Sequence, residues 1–270
     1  MIGAGTTVRW WVAPPGPDES LGSLVARAAA FFEGESGWLW TNLLEGRTDI
    51  DMDDPPAAVL VRLARATGIA ARQLQGHRLA DAPGLLARGA RSAYCPVCWA
   101  EQGGEVPSQR RSWMGCFRTV CEVHRAPLLA WRPHQRAIPL QLPAFDPTDR
   151  DILDLIDKFG RTLEGSLLCG EPWPEAWKGD AMAARTMLLR VCFNYDAEAH
   201  FAPVSDVVAT RTLRPYIHGP IRIIASKKRV HWDDFRRIAD PVVRRAALWL
   251  VAWRVMPGLE DRFRPGWFRD

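Results

Sequence analysis

Cys95-Pro-Val-Cys98 and, after 22 intervening residues, Cys121-Glu-Val-His124 constrain this 270-residue chain more than any other feature. Two thiols two residues apart can reach one metal from a single tight turn. A second pair at the same spacing completes a tetrahedron. Three Cys and one His are four protein ligands, which leave no open position for water or substrate, so the expected site is a structural zinc that holds the fold. Two other readings use the same residues. One is a set of buried thiols beside a surface His. The other is a CxxC redox pair, but no βαβ pattern surrounds it and Cys121-x-x-His124 then has no role.

Zinc deaminases need a His-x-Glu upstream and Pro-Cys-x-x-Cys downstream. Here Pro96 lies inside the turn, and the upstream His77 is followed by Arg78 and Leu79. No His-Glu-x-x-His occurs, and no acid/base pair stands out from the polar background. No enzymatic activity is expected.

The formal charge of +4 permits contact with nucleic acid without demanding it. The 13 tryptophans are read mostly as core, with interface anchoring as their other use. The N-terminus lacks the apolar run of a signal peptide, and the longest apolar run, Ala246 to Trp253, is too short to span a bilayer. A cytoplasmic protein with no membrane association is expected. In that compartment thiols stay reduced and a Cys/His set binds metal. Cys116, Cys169 and Cys192 are read as small core hydrophobes.

The fold class read from the pattern is mainly α, in three parts. Residues 1–90 form an N-terminal, helix-turn-helix-like helical region, 91–135 a small zinc-finger module, and 136–270 a C-terminal helical domain. After a proline-rich lead, Leu21, Leu24, Val25, Ala28 and Phe32 repeat at helical steps behind a cap at Asp18 or Ser20. Asp49 to Asp54 reads as a solvated acidic turn leading into the next helix, since the glycine and terminal glutamate of a calcium loop are missing. That helix opens at Pro55-Pro56 and stops at Gly68, and Ile69 to Arg78 forms a second short one. As a helix-turn-helix, the pair would offer Arg72, Gln73, Gln75 and His77 to a duplex. As an αα-hairpin the same groups are simply solvated, and the residues alone favour the hairpin. Trp113, Cys116, Phe117, Val120 and His124 predict a helix into the second ligand pair. Arg110 and Arg111 precede it, as phosphate contacts or as a solvated face. Further helices are predicted over Asp151 to Leu163, Ala181 to Phe193 and, capped by Asp240-Pro241, on to Met256. A hairpin is expected between Tyr216 and Val230, with Lys227, Lys228 and Arg229 near its end, the densest basic run and the best local phosphate contact.

Ala13-Pro-Pro-Gly-Pro-Asp-Glu-Ser-Leu-Gly-Ser-Leu-Val-Ala-Arg-Ala28 resembles the opening of TniQ-family transposition proteins. Tyr94-Cys-Pro-Val-Cys98, Arg111-Ser-Trp113, Thr119-Val-Cys121, His124 and Pro127-Leu-Leu129 resemble that family's zinc segment. Arg244 to Trp253 is similar to a buried helix late in these proteins. The resemblance implies zinc ligands at Cys95, Cys98, Cys121 and His124. It also implies a non-enzymatic adaptor in DNA transposition, linking target recognition to an AAA+ ATPase regulator. The implied partners are that regulator, DNA, a CRISPR effector complex with its guide RNA, and a second copy of the chain. Many relatives carry a second knuckle where Trp131-Arg-Pro-His134 stands here, so one zinc is expected. The alternative function is an autonomous sequence-specific DNA-binding zinc protein that reads through Ile69 to Arg78. Trp10, Trp11, Glu19, Ser20 and Leu21 are expected to form an anchoring surface, for the regulator or for another part of the chain.

Overall fold

Leu21, Leu24, Val25 and Ala28 are fully buried along one side of the first helix, α1 (Leu21–Phe31), as their spacing requires. The computed structural model describes residues 12–31, 50–103, 106–131, 147–193 and 230–259. Helix α1 is capped twice. Ser20 Oγ accepts the Ser23 N–H at 3.2 Å, and Asp53 Oδ1 accepts the Gly22 N–H at 3.1 Å. Two of the four N–H groups that an α-helix leaves unbonded at its start are thereby satisfied. The acidic turn is therefore not simply solvated. Asp53 is buried on α1, and Asp54 pairs with Arg78. The next helix, α2 (Ala57–Thr67), has no side-chain cap.

The chain divides into two compact units, residues 1–82 with 98–112, and 83–97 with 113–270. This division does not follow the three consecutive segments expected from the sequence. In the first unit α1 packs with α2 and with the five-residue α3 (Ala71–Gln75) around Leu24, Leu60, Leu63 and Leu74. Gly68 ends α2 in the left-handed conformation at φ 73°, and its N–H bonds Ala64 O. A side chain there would be strained, which explains the Gly stop.

The second unit holds an antiparallel strand pair, β1 (Ala93–Tyr94) with β2 (Leu129–Ala130), in the register Ala93 to Ala130 and Tyr94 to Leu129. Helix α4 (Pro96–Gln102) begins in its 83–97 segment. Helices α5 (Pro147–Glu164), α6 (Ala181–Phe193), α7 (Trp232–Arg236) and α8 (Pro241–Val255) follow in order. The three long helices match the sequence expectation. Asp240 accepts the Val242 N–H at 2.8 Å with Pro241 in the first turn, and α8 packs on α5, α6 and β2. Phe117, Phe159, Leu188, Phe235, Leu248 and Val251 centre one core. Each such side chain contributes about 1.5–3 kcal/mol by leaving water. Helix α5 passes so close to Phe117 that a Cβ on Gly160 would meet Phe117 O at 2.7 Å, so glycine is required there.

Residues 113–124 do not form the predicted helix. A single 3-10 turn, Arg111–Met114, gives way to irregular chain. Trp113, Cys116, Phe117 and Val120 are buried nonetheless, so their spacing recorded burial rather than helicity. Cys116 and Cys192 are core residues as expected, whereas Cys169 is exposed. Arg132 to Asp146 lie outside the described residues. So does the hairpin expected between Tyr216 and Val230, apart from Val230 itself. Among the described residues, no helix is long and apolar enough to cross a membrane.

Candidate metal centre

Cys95 directly follows β1, and Cys98 sits in the first turn of α4 with Pro96 at its opening, where a missing N–H costs no helix bond. The second pair is carried by a tight reversal. Leu128 N–H bonds Thr119 O at 2.9 Å, Cys121 N–H bonds Ala126 O at 2.7 Å, and Arg125 N–H bonds Cys121 O at 2.8 Å. Arg125 occupies the left-handed region at φ 51°, which turns the chain back directly after His124. The β1–β2 ladder then places Cys95 beside this turn, because Leu129 pairs with Tyr94.

One ligand atom from each of Cys95, Cys98, Cys121 and His124 lies within 4.8 Å of the others, and the three thiols are buried. His124 Nδ1 is 3.7 Å from Cys95 Sγ and 3.8 Å from Cys121 Sγ. A tetrahedral site with metal–sulfur bonds near 2.3 Å and metal–nitrogen bonds near 2.0 Å has ligand edges of about 3.5–3.8 Å. One ring nitrogen has a single lone pair or a single proton and cannot hydrogen-bond two sulfurs equally well. A shared cation accounts for both distances, so the residues fit a metal ion. Among the described residues this is the only such cluster.

The remaining core thiols are chemically quiet. Burial pushes Cys116 up to about 12 and Cys192 up to about 12, even with Arg244 nearby pulling both down. Neither is a thiolate at neutral pH, so neither is a nucleophile or a redox partner.

Residues 11–128 match the TniQ family model. The chain carries a TniQ domain. All four ligands of the metal cluster fall within the match, as does α1 with its Glu19-Ser20-Leu21 lead. TniQ is a non-catalytic, transposition-associated accessory family, and the likeness to it spans residues 11–128 of the 270. No curated protein and no solved structure matches the chain.

Within the TniQ domain, Glu19, Ser20 and Leu21 are not a surface. Their exposures are 3%, 0% and 0%. Glu19 accepts from Arg27 Nε at 2.7 Å, Arg27 Nη2 at 2.8 Å, Ser23 Oγ at 2.8 Å and Gly16 N at 3.1 Å. Around it, Ser20 N–H bonds Gln109 O, Arg111 N–H bonds Asp18 O, and Ser112 Oγ donates to Asp18 Oδ2 at 2.6 Å. The Asp-Glu-Ser-Leu motif thus anchors residues 109–112 of its own unit, the second of the two roles expected for it. Trp10 and Trp11 lie outside the described residues.

The nucleic-acid candidates separate by exposure. Arg72 and Gln73 lie on α3 away from the buried Leu74, and Arg72, Gln73 and Gln75 are all exposed. His77 is buried, and its Nδ1–H donates to Glu19 O at 2.8 Å, which withdraws it from any duplex. Arg110 is half-buried and bridges Glu19. Arg111 donates to Gly76 O and lies 3.5 Å from Asp18 Oδ1, so it ties its own unit together. Lys227, Lys228 and Arg229 lie outside the described residues. Arg65, exposed in the last turn of α2, is a cation that sequence reasoning missed. Its signal was its place opposite the buried Leu60 and Leu63 in the helical repeat.

Sequence reasoning also missed Arg244 and Arg245. Both are fully buried on α8. Arg244 Nη1 donates to Gly115 O, Cys116 O and Arg118 O, and Arg245 Nη1 donates to Thr119 O and Leu128 O. Burial brings the Arg244 guanidinium down to about 10, with Cys116 and Asp240 opposing the shift. It remains charged at neutral pH.

Proposed function

We propose that this TniQ-domain protein is a non-enzymatic zinc adaptor in DNA transposition, joining target recognition to an AAA+ ATPase regulator. The observation that carries the reading is the placement of a complete Cys3His set inside the TniQ match at residues 11–128. Zinc is the metal that this donor set selects. It favours tetrahedral thiolate and imidazole ligands, and four protein ligands leave it no catalytic position. The role of the metal is to hold the ligand turn against β1. Target specificity would come from another factor, such as a CRISPR effector with its guide RNA, with Trp10 and Trp11 as anchors for the regulator.

The short α3 argues against an autonomous DNA reader. Five residues rise only about 7.5 Å, less than two turns to lay along a major groove. Arg72 and Gln73 would then add non-specific affinity, with Arg65 beside them in sequence and the Lys227-Lys228-Arg229 run as a further phosphate contact.

Duplex binding at about 50 mM and about 200 mM salt separates the two readings. An adaptor should lose at least roughly ten-fold in affinity across that range and bind unrelated duplexes equally. A reader should keep a preferred site at the higher salt, with each mismatch costing about 1–3 kcal/mol. A retained preference of that size would reject the adaptor reading.

A further inference from the structure

The turn that carries Cys121 and His124 has little regular structure, so several of its carbonyls need donors from elsewhere. Helix α8 supplies them. Arg245 Nη1 lies 2.9 Å from Thr119 O and 3.0 Å from Leu128 O, the two residues whose backbone bond closes the turn. One nitrogen thereby spans both ends of the ligand turn. Leu128 leads into β2, whose partner strand ends next to Cys95. Arg244 holds the approach to the turn through Gly115, Cys116 and Arg118.

A second grip comes from α5. Arg125, in its left-handed conformation directly after His124, pairs with Asp154 at 3.0 Å and with the buried Asp157 at 3.0 Å. Arg161 also reaches Asp157. If packing alone were at stake, apolar side chains would serve α8 better than two buried guanidinium groups, whose desolvation is costly. The Nη1 bonds of both arginines run to backbone of residues 115–128.

We propose that Arg245 on α8 and Asp157 on α5, acting through Arg125, are positioning residues for the metal ligands, so that metal retention depends on the C-terminal helices. The zinc segment is then not an independent finger. The helices pre-set the spacing of Cys95, Cys121 and His124, and the ion finds three of its four ligands already placed. This inference rests on the zinc reading above.

The test uses the full chain loaded with zinc, and separately with cobalt, whose absorption bands report ligand geometry. Release to a chromophoric chelator is timed for the wild type, Arg245→Met, Arg245→Lys, Asp157→Asn and, as a control on the first unit, Arg72→Ala. Arg245→Met and Asp157→Asn should each release metal at least ten-fold faster and alter the cobalt spectrum. Arg245→Lys should recover part of the loss, since an ammonium can still donate to both carbonyls, and Arg72→Ala should match the wild type. Should Arg245→Met fail to fold, Asp157→Asn decides, because it acts at the half-exposed Arg125 and leaves the α8 contacts intact. Wild-type release rates and spectra in the folded variants would overturn the proposal. Wild-type protein that holds no metal would instead sink the zinc reading itself.

Discussion

Cys98→Ser should strip the protein of metal and leave it largely insoluble. The wild type should carry one zinc per chain, matching the single Cys3His cluster among the described residues. Structural zinc in such sites contributes about 10–16 kcal/mol of binding that is coupled to folding. Even a net loss of about 4 kcal/mol would move the thermal midpoint of a chain this size by roughly 10 °C. The removed thiolate also leaves two buried thiols and His124 facing one another with no cation between them. Elemental analysis and a melting curve on the two proteins check this. Wild-type protein containing no zinc, or two, contradicts the assignment, as does a Cys98→Ser protein that keeps its zinc.

Glu19→Ala should cost the first unit about 2–4 kcal/mol. The carboxylate is 3% exposed and accepts from two nitrogens of Arg27, from Ser23 and from Gly16. Truncation removes the acceptor for all four donors. Arg27 keeps some access to water, which tempers the loss. Glu19→Gln keeps the shape but loses the charge, and should fall between wild type and Glu19→Ala. Urea denaturation midpoints for the three proteins measure the series. A change under about 0.5 kcal/mol for the alanine variant, the size of an ordinary surface substitution, would mean that Glu19 does not hold residues 109–112 in place.

The metal set was legible because ligand chemistry leaves a fixed spacing in the sequence, and Cys95, Cys98, Cys121 and His124 do converge. Helices α5, α6 and α8 were legible for a different reason, a sustained apolar repeat with a cap at Asp240. Between the ligand pairs the same kind of repeat misled. Trp113, Cys116, Phe117 and Val120 are buried by tertiary packing around an irregular backbone, and periodicity cannot separate that case from a helix. Long-range polar contacts left no local trace. Asp53 caps α1 from 31 residues away, and Arg245 reaches Leu128 across 117 residues. Nothing local marked the two adjacent arginines at the start of α8 as donors to a distant segment, yet both are fully buried and their Nη1 atoms bond carbonyls of residues 115–128. The Glu19-Ser20-Leu21 motif read as a surface for a similar reason. The partner it holds, residues 109–112, is remote in sequence.

The adaptor role is tested most directly by retention of the AAA+ regulator on the immobilised, zinc-loaded full chain in the presence of ATP and duplex DNA. The account predicts that the wild type retains the regulator and that a Trp10→Ala, Trp11→Ala double variant of unchanged thermal stability releases it. A wild-type chain that lets the regulator pass under those conditions would contradict it.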